Sequence, residues 1–136
     1  MTTTDTPLVL LWINEAGPYR QALTEVRLDA RVEMIHVPLT EEPTPDLLAR
    51  GEAMLAFRAG PGLLGRMPRL CWLQALTEPL PAEHPFWSTA GITVLPHIGG
   101  LHPGRDHSVA ALFADNLERF LAGRPLRETV DRARGY

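Results

Sequence analysis

The chain has 136 residues, enough for one domain with a sizeable hydrophobic core. A hydrophobic content of 45%, a charged content of 21% and a net charge of -3 are typical of a soluble globular protein, and they disfavour binding to nucleic acid or to an anionic membrane surface. All 13 basic residues are arginine, which excludes a lysine Schiff base. The single cysteine, Cys71, cannot form an intrachain disulfide, and its apolar surroundings predict a small buried hydrophobe.

Short apolar runs alternate with helical patterns along the chain. The first helix opens at Gly17-Pro18, a short helix covers 45–50, and a long helix runs from Asp106, a suitable N-cap, to about Ala122, where Gly123 ends it. Strands are predicted at 8–13, 32–37, 53–57, 70–76 and 92–95.

This alternation favours an α/β domain with a parallel sheet and right-handed crossovers. With five strands, the expected architecture is a three-layer, flavodoxin-like domain with the strand order 2-1-3-4-5. We expect the whole chain, residues 1–136, to form this single domain. No signal peptide and no apolar run of membrane length is visible, so a cytoplasmic location is expected.

Ligands of such sheets bind at the carboxyl ends of the strands. The segment after the first strand, Asn14-Glu15-Ala16-Gly17, lacks the hydroxyl groups and glycines of a flavin phosphate loop. A phosphoacceptor site would need an aspartate after the third strand and a lysine after the fifth, and neither is present. No G-x-G-x-x-G follows a strand, and the histidine spacing is a weak metal signal. We therefore expect no cofactor and no metal in this chain.

Two C-terminal motifs carry a resemblance to a known family. The run EPLPAEHPFWSTAGITVLPHIGG, residues 78–100, resembles the C-terminal signature of D-2-hydroxyacid dehydrogenases. The ending VDRARGY, residues 130–136, is similar to that of the glyoxylate/hydroxypyruvate reductase A branch. The run MPRLCWLQAL, residues 67–76, resembles the family segment that precedes a G-A-G-V-D turn, whereas residues 1–66 match mainly in pattern.

The resemblance implies that a domain is missing between Leu76 and Thr77. In this family the substrate domain is split in sequence, and a complete nucleotide-binding domain lies between its two parts. Here the N-terminal part, 1–76, runs directly into the returning part, 77–136. A domain inserted at a surface point with nearby ends can be removed without dividing the remaining core. We interpret the junction as an engineered excision.

The resemblance also implies the site residues. His97 matches the family's catalytic histidine, the general acid in 2-oxoacid reduction, and an imidazole suits that role at neutral pH. Phe57 and Arg58 lie where this branch lines its substrate pocket, and Arg58 could bind a carboxylate, although a solvated Arg58 beside a packed Phe57 is the favoured reading of these two residues alone. Gly99 and Gly100 permit a sharp turn after His97 and, less strongly, a close approach of substrate.

These residues lead to the expectation of a substrate-binding domain without catalytic activity. The family's NADPH or NADH site, an arginine that binds the substrate carboxylate and a carboxylate that pairs with the histidine all belong to the missing domain. We expect weak binding of small 2-oxoacids or other anions at most, in a monomer or a non-native dimer. The alternatives are a reductase component that is active only with a cofactor domain in trans, and a non-enzymatic interaction module.

Overall fold

Five strands form one sheet in the order β2-β1-β3-β4-β5, and every adjacent pair is parallel. The computed structural model describes residues 6–57, 60, 62–76, 85, 88–95, 104–129, 131 and 133. The strands are β1 (Leu8–Trp12), β2 (Glu33–Val37), β3 (Gly51–Ala56), β4 (Trp72–Ala75) and β5 (Thr93–Leu95). The α/β class and the parallel sheet predicted from the alternating pattern are therefore confirmed.

The helices begin and end where local chemistry allows. They are α1 (Gly17–Glu25), α2 (Pro45–Arg50), α3 (Leu63–Arg66) and α4 (Arg105–Leu121), with a 3-10 turn at Asp29–Arg31. The Thr44 hydroxyl caps α2 by accepting a hydrogen bond of 3.4 Å from the Leu47 N–H. Pro18 lies in the first turn of α1, where its missing N–H leaves no helical bond unmade.

The prediction that Asp106 is the N-cap of the long helix was wrong. Gly104 occupies that position without a side-chain cap, and Asp106 lies inside the first turn. A carboxylate there is favoured by the partial positive charge of the exposed N–H groups, even when it does not cap them. The sequence signal for a helix start was correct to within two residues.

Side chains alternate across the sheet and build a hydrophobic core on each face. Val9 and Leu11 of β1 join one core, whereas Leu8 and Leu10 join the other. The first core is covered by α1 and α4, and the second by α2 and α3. The sheet is therefore the middle of three layers, and the strands of its centre are buried on both faces, as their continuous apolar sequences indicate.

Glycine begins β3 at a crowded position, where a side chain would require its neighbours to shift. A Cβ on Gly51 would lie 2.7 Å from Cε of Met67 and 3.3 Å from the carbonyl oxygen of Leu47. Beside it, Arg50 bonds Glu33 at 2.6 Å and Asp46 at 3.4 Å, and the pKa of Arg50 is raised, first by Coulombic attraction to Glu33. These exposed pairs tie the end of α2 to the edge strand, at a modest gain in stability.

The prediction of a buried Cys71 was wrong. The strand β4 starts one residue later, and Cys71 is exposed, with its thiol 3.3 Å from the carbonyl oxygen of Arg69. Its backbone still connects neighbouring strands, because the Cys71 N–H donates to Glu52 and its carbonyl accepts from Thr93. The apolar run in the sequence therefore predicted the position of the strand, but not whether the side chain next to its first residue is buried.

Candidate functional site at the carboxyl edge of the sheet

A cavity of about 160 Å³ lies where β1, β3 and β4 end. Because all three strands are parallel, their carboxyl ends meet at one edge, which is where such sheets usually bind ligands. Backbone hydrogen bonds fix the strand ends: the Phe57 N–H donates to Trp12 at 3.2 Å, and the Leu76 N–H donates to Ala56 at 2.9 Å. The described lining residues are Ile13, Asn14, Glu15, Tyr19, Phe57, Leu76 and Asp106.

Two helices complete the wall of this cavity. Tyr19 of α1 is buried, and its hydroxyl lies 3.4 Å from Oδ1 of Asp106 in the first turn of α4. The Tyr19 ring meets the Phe113 ring edge-on, with centroids 5.8 Å apart. The cavity is therefore held between two helices and three strand ends.

The lining combines apolar and polar side chains. Ile13, Phe57 and Leu76 give hydrophobic contact, whereas Asn14 and Tyr19 carry hydrogen-bonding groups. Among the described lining residues there are two carboxylates, Glu15 and Asp106, and no arginine or histidine. A volume of about 160 Å³ suits a ligand of a few heavy atoms, well below the size of a dinucleotide.

The predicted site residues are only partly within the described chain. Phe57 is half-buried and lines the cavity; it was predicted as the last residue of the third strand and lies directly after β3, which ends at Ala56. Arg58, His97, Gly99 and Gly100 lie outside the described residues. Their roles remain predictions from the family resemblance.

Sequence reasoning missed four residues that line the cavity. Asn14 and Glu15 were considered only as a phosphate loop, and Tyr19 and Asp106 were read as helix residues. For Asn14 and Glu15 the available signal was their position in the sequence, because residues that directly follow parallel strands converge at one edge of the sheet whatever their type. Tyr19 and Asp106 have no such signal, since only the packing of α1 against α4 brings them to this edge.

A larger cavity of about 250 Å³ lies between α1 and α4, away from the strand ends. Its floor is made of alanine side chains, and its acidic groups have partners: Glu25 accepts from Gln21, and Glu118 accepts from Arg124. Among its described lining residues, none belongs to a strand. It is a groove between packed helices, and its described lining includes His107 beside the carboxylates Glu25, Asp115 and Glu118.

Two further classes of site find no support in the part of the chain that the structure describes. No group of three or more histidine, cysteine, aspartate or glutamate side chains there could hold a metal ion. In the same part, no helix is long and apolar enough to cross a membrane.

Comparison with known proteins gives two curated relatives, both named glyoxylate/hydroxypyruvate reductase A. The glyoxylate/hydroxypyruvate reductase A of Escherichia fergusonii is 36% identical over 59 residues, and that of Yersinia enterocolitica is 40% identical over 62 residues. Each match covers 43% of this chain and only 18% of the relative. No protein-family model matches the chain.

Solved structures give similarity at low identity. A phosphoglycerate oxidoreductase from Rhizobium etli has a TM-score of 0.49 at 20% identity, covering 86% of this chain and 40% of that one. An NADPH-dependent glyoxylate/hydroxypyruvate reductase from Sinorhizobium meliloti, in complex with NADP and sulfate, has a TM-score of 0.38 at 14% identity, covering 100% and 60%. At these TM-scores the likeness says nothing about activity. On the curated relatives, the predicted resemblance to D-2-hydroxyacid dehydrogenases of the glyoxylate/hydroxypyruvate reductase A type is confirmed over part of the chain.

Proposed function

We propose that this chain is the substrate domain of a glyoxylate/hydroxypyruvate reductase, standing without a nucleotide-binding domain and catalytically silent by itself. The support is the sequence similarity to two reductases of this name, together with a small cavity at the edge of the sheet where substrates of α/β domains bind. The parent reaction would be the NADPH- or NADH-dependent reduction of a small 2-oxoacid.

The short connection between β4 and β5 carries this proposal. The two strands are direct neighbours, with Trp72 opposite Thr93 and Gln74 opposite Leu95, and only residues 76–92 separate them in sequence. A nucleotide-binding domain takes on the order of 100–150 residues, so it has no place in this crossover. On the proposal, residues 1–76 and 77–136 are the two parts of the substrate domain joined directly, as an engineered excision would leave them.

Without the second domain, the proposed chemistry lacks its positioning groups. His97 would remain as the inherited general acid, but a general acid contributes about 10²–10⁴-fold only to a substrate that is held in place. On the proposal, the binding site of the hydride donor belongs to the missing domain. We therefore propose that the chain binds 2-oxoacids weakly and does not reduce them.

The charge of the described lining also favours weak binding. Glu15 and Asp106 both carry carboxylates at the cavity, and a carboxylate ligand gains no attraction from either. On the proposal, Arg58 supplies the anion contact, Phe57 forms a wall, and Gly99 and Gly100 let the backbone approach the ligand.

Amide NMR titrations with glyoxylate and then NADPH test this proposal. Millimolar glyoxylate should shift the amides of cavity residues such as Phe57 and Leu76, whereas NADPH should shift none and should not be oxidised. Arg58→Met should weaken the glyoxylate shifts at least severalfold. The matched control is Arg31→Met, which removes an exposed arginine from the 3-10 turn and should leave the shifts unchanged.

Three results would overturn parts of the proposal separately. Oxidation of NADPH by the chain alone would mean that a cofactor site exists in it. Glyoxylate shifts that are absent, or that are equal in the wild type and Arg58→Met, would remove the assigned binding site. Reduction of glyoxylate after addition of a separate nucleotide-binding domain would leave the family assignment intact. It would show that the chain is catalytically active when that domain is supplied in trans.

A further inference from the structure

Two polar side chains on β4 are buried without a hydrogen-bond partner. Gln74 has no exposed surface, and neither its Nε2 nor its Oε1 is within hydrogen-bond distance of a partner in the described structure. The indole nitrogen of Trp72, whose side chain is 1% exposed, is equally unpartnered. Buried polar atoms in folded proteins nearly always have a partner, so three such atoms on one strand require a physical explanation.

The two side chains lie on the same face of the sheet. Alternate residues of a strand share a face, and Trp72 packs in the core beneath α1 and α4, with its ring 5.4 Å from that of Phe113. Gln74 therefore faces the same helices, between Leu55 on β3 and Leu95 on β5. Leu76, next on this face, lines the cavity at the carboxyl edge, so Gln74 lies one pleat below that cavity.

The chemistry of the two groups fits a water molecule. An amide offers two N–H donors and an acceptor oxygen, and the indole offers one N–H donor. A buried water typically makes two to four hydrogen bonds to polar groups of this kind. Alternate residues of a strand are about 6.6 Å apart at Cα, and a water with two hydrogen bonds of about 2.9 Å spans up to about 5.8 Å. The spacing along the strand is therefore of the size that one bridging water needs.

The alternative of three permanently unpaired atoms is energetically poor. An unpaired buried amide loses its hydration and gains nothing in return, whereas an immobilised water restores the hydrogen bonds at a small entropic cost. We propose that the Gln74 amide and the Trp72 indole N–H bind an internal water molecule between β4 and α4, directly below the candidate ligand cavity. This inference does not depend on the proposed function.

Water–protein NMR on the intact chain tests the site directly. The Gln74 side-chain amide protons should show a nuclear Overhauser contact to a water molecule of long residence time, whereas exposed side-chain amides such as that of Gln21 should not. This contact decides the proposal: its detection supports the water site, and its absence overturns it, even if the variants described next lose stability.

A pair of variants measures what the site contributes to folding. Gln74→Met keeps the length of the side chain and removes its hydrogen bonds, so it should lower Tm by about 3–6 °C. Leu55→Met, at the opposing buried position on β3, is the control for a change of shape without a change of polarity and should lower Tm less. A Gln74→Met chain as stable as the control would argue against a bound water, since removing an unpaired amide relieves a cost.

Discussion

Asn116 shows what a satisfied buried amide does in this protein. Its side chain is fully buried in α4, its Nδ2 donates to the carbonyl oxygen of Arg127 at 3.2 Å, and its Oδ1 accepts from the Arg127 N–H at 2.8 Å. One side chain thus satisfies both polar groups of a peptide segment and holds the chain after α4 against the helix. Gln74 has the same functional group and the same burial but lacks such a backbone partner.

Replacement of Asn116 by alanine should destabilise the fold by about 1–3 kcal/mol, because it leaves the N–H and carbonyl of Arg127 unpaired. Urea unfolding followed by circular dichroism measures this change. Asn14→Ala removes an exposed amide and should change the free energy of unfolding by less than about 0.5 kcal/mol. Equal stabilities for the two variants would show that the hydrogen bonds of Asn116 contribute nothing.

The burial and contacts of single residues were harder to predict from the sequence than the helices and strands. Phe57 lies at the carboxyl edge, because it ends the apolar run predicted as a strand over 53–57, while its role in substrate binding stays a prediction. Cys71 was misread, because one residue decides whether a side chain at the start of a strand is inside or outside. Nothing in the sequence marks Asn116 or Gln74 as buried, since amides are mostly exposed and only their elements carry them into the core.

At the scale of elements, α1 ends in a tight turn that its sequence does not favour. The Leu28 N–H donates to Leu23 at 2.9 Å and the Arg27 N–H donates to Thr24 at 3.1 Å, which is the Schellman arrangement. Arg27 takes the left-handed conformation with φ of 58°, where glycine is usual. The buried Leu28 packs in the same core as Leu23 and compensates for this strain.

Arg27→Gly should therefore stabilise the protein by about 0.5–1 kcal/mol, since the relief of left-handed strain exceeds the entropic cost of glycine. Arg20→Gly is the matched control, because Arg20 is an exposed arginine inside the same helix, where glycine costs about 1 kcal/mol. Thermal unfolding measures both variants: Arg27→Gly should raise Tm, and Arg20→Gly should lower it. A loss of stability in both would mean that Arg27 has a compensating interaction.

Elements as a whole were predicted well from the sequence. The short helix at 45–50 has the bounds that the pattern gave, and each predicted strand overlaps an observed one. Their ends differ by at most two residues, because hydrogen bonds to the neighbouring strand, and not the apolar run, decide where a strand stops. The Thr44 hydroxyl and Pro45 fixed the start of α2 locally, whereas Gly104 replaced Asp106 as the start of α4.

At the scale of the molecule, an aromatic cluster joins the sheet to both helices of one layer. The ring of Phe113 in α4 lies 5.4 Å from the Trp72 ring of β4 and 5.8 Å from the Tyr19 ring of α1, and the Phe120 ring lies 6.0 Å from that of Trp72. Phe113 is buried, whereas Phe120 is half-buried. The contact between layers therefore depends mainly on Phe113.

Phe113→Ala should lower the free energy of unfolding by about 3–5 kcal/mol, because it leaves a cavity between three elements. This is a large share of the roughly 5–15 kcal/mol that a domain possesses. Phe120→Ala, the control on the same helix, should cost less than half as much because part of its ring is already exposed. Chemical unfolding compares the two, and equal losses would contradict the central place given to Phe113.

The sequence by itself determined the class of the fold, the existence of nearly every element and the resemblance to glyoxylate/hydroxypyruvate reductase A, because periodicity and contiguous motifs are local properties of the chain. Only the tertiary structure decided that Tyr19 and Asp106 meet at one cavity, that Asn116 holds the segment after α4, and that Gln74 is buried below that cavity. These contacts join residues far apart in sequence, and the packing of α1 and α4 on the sheet, which brings them together, leaves no local pattern.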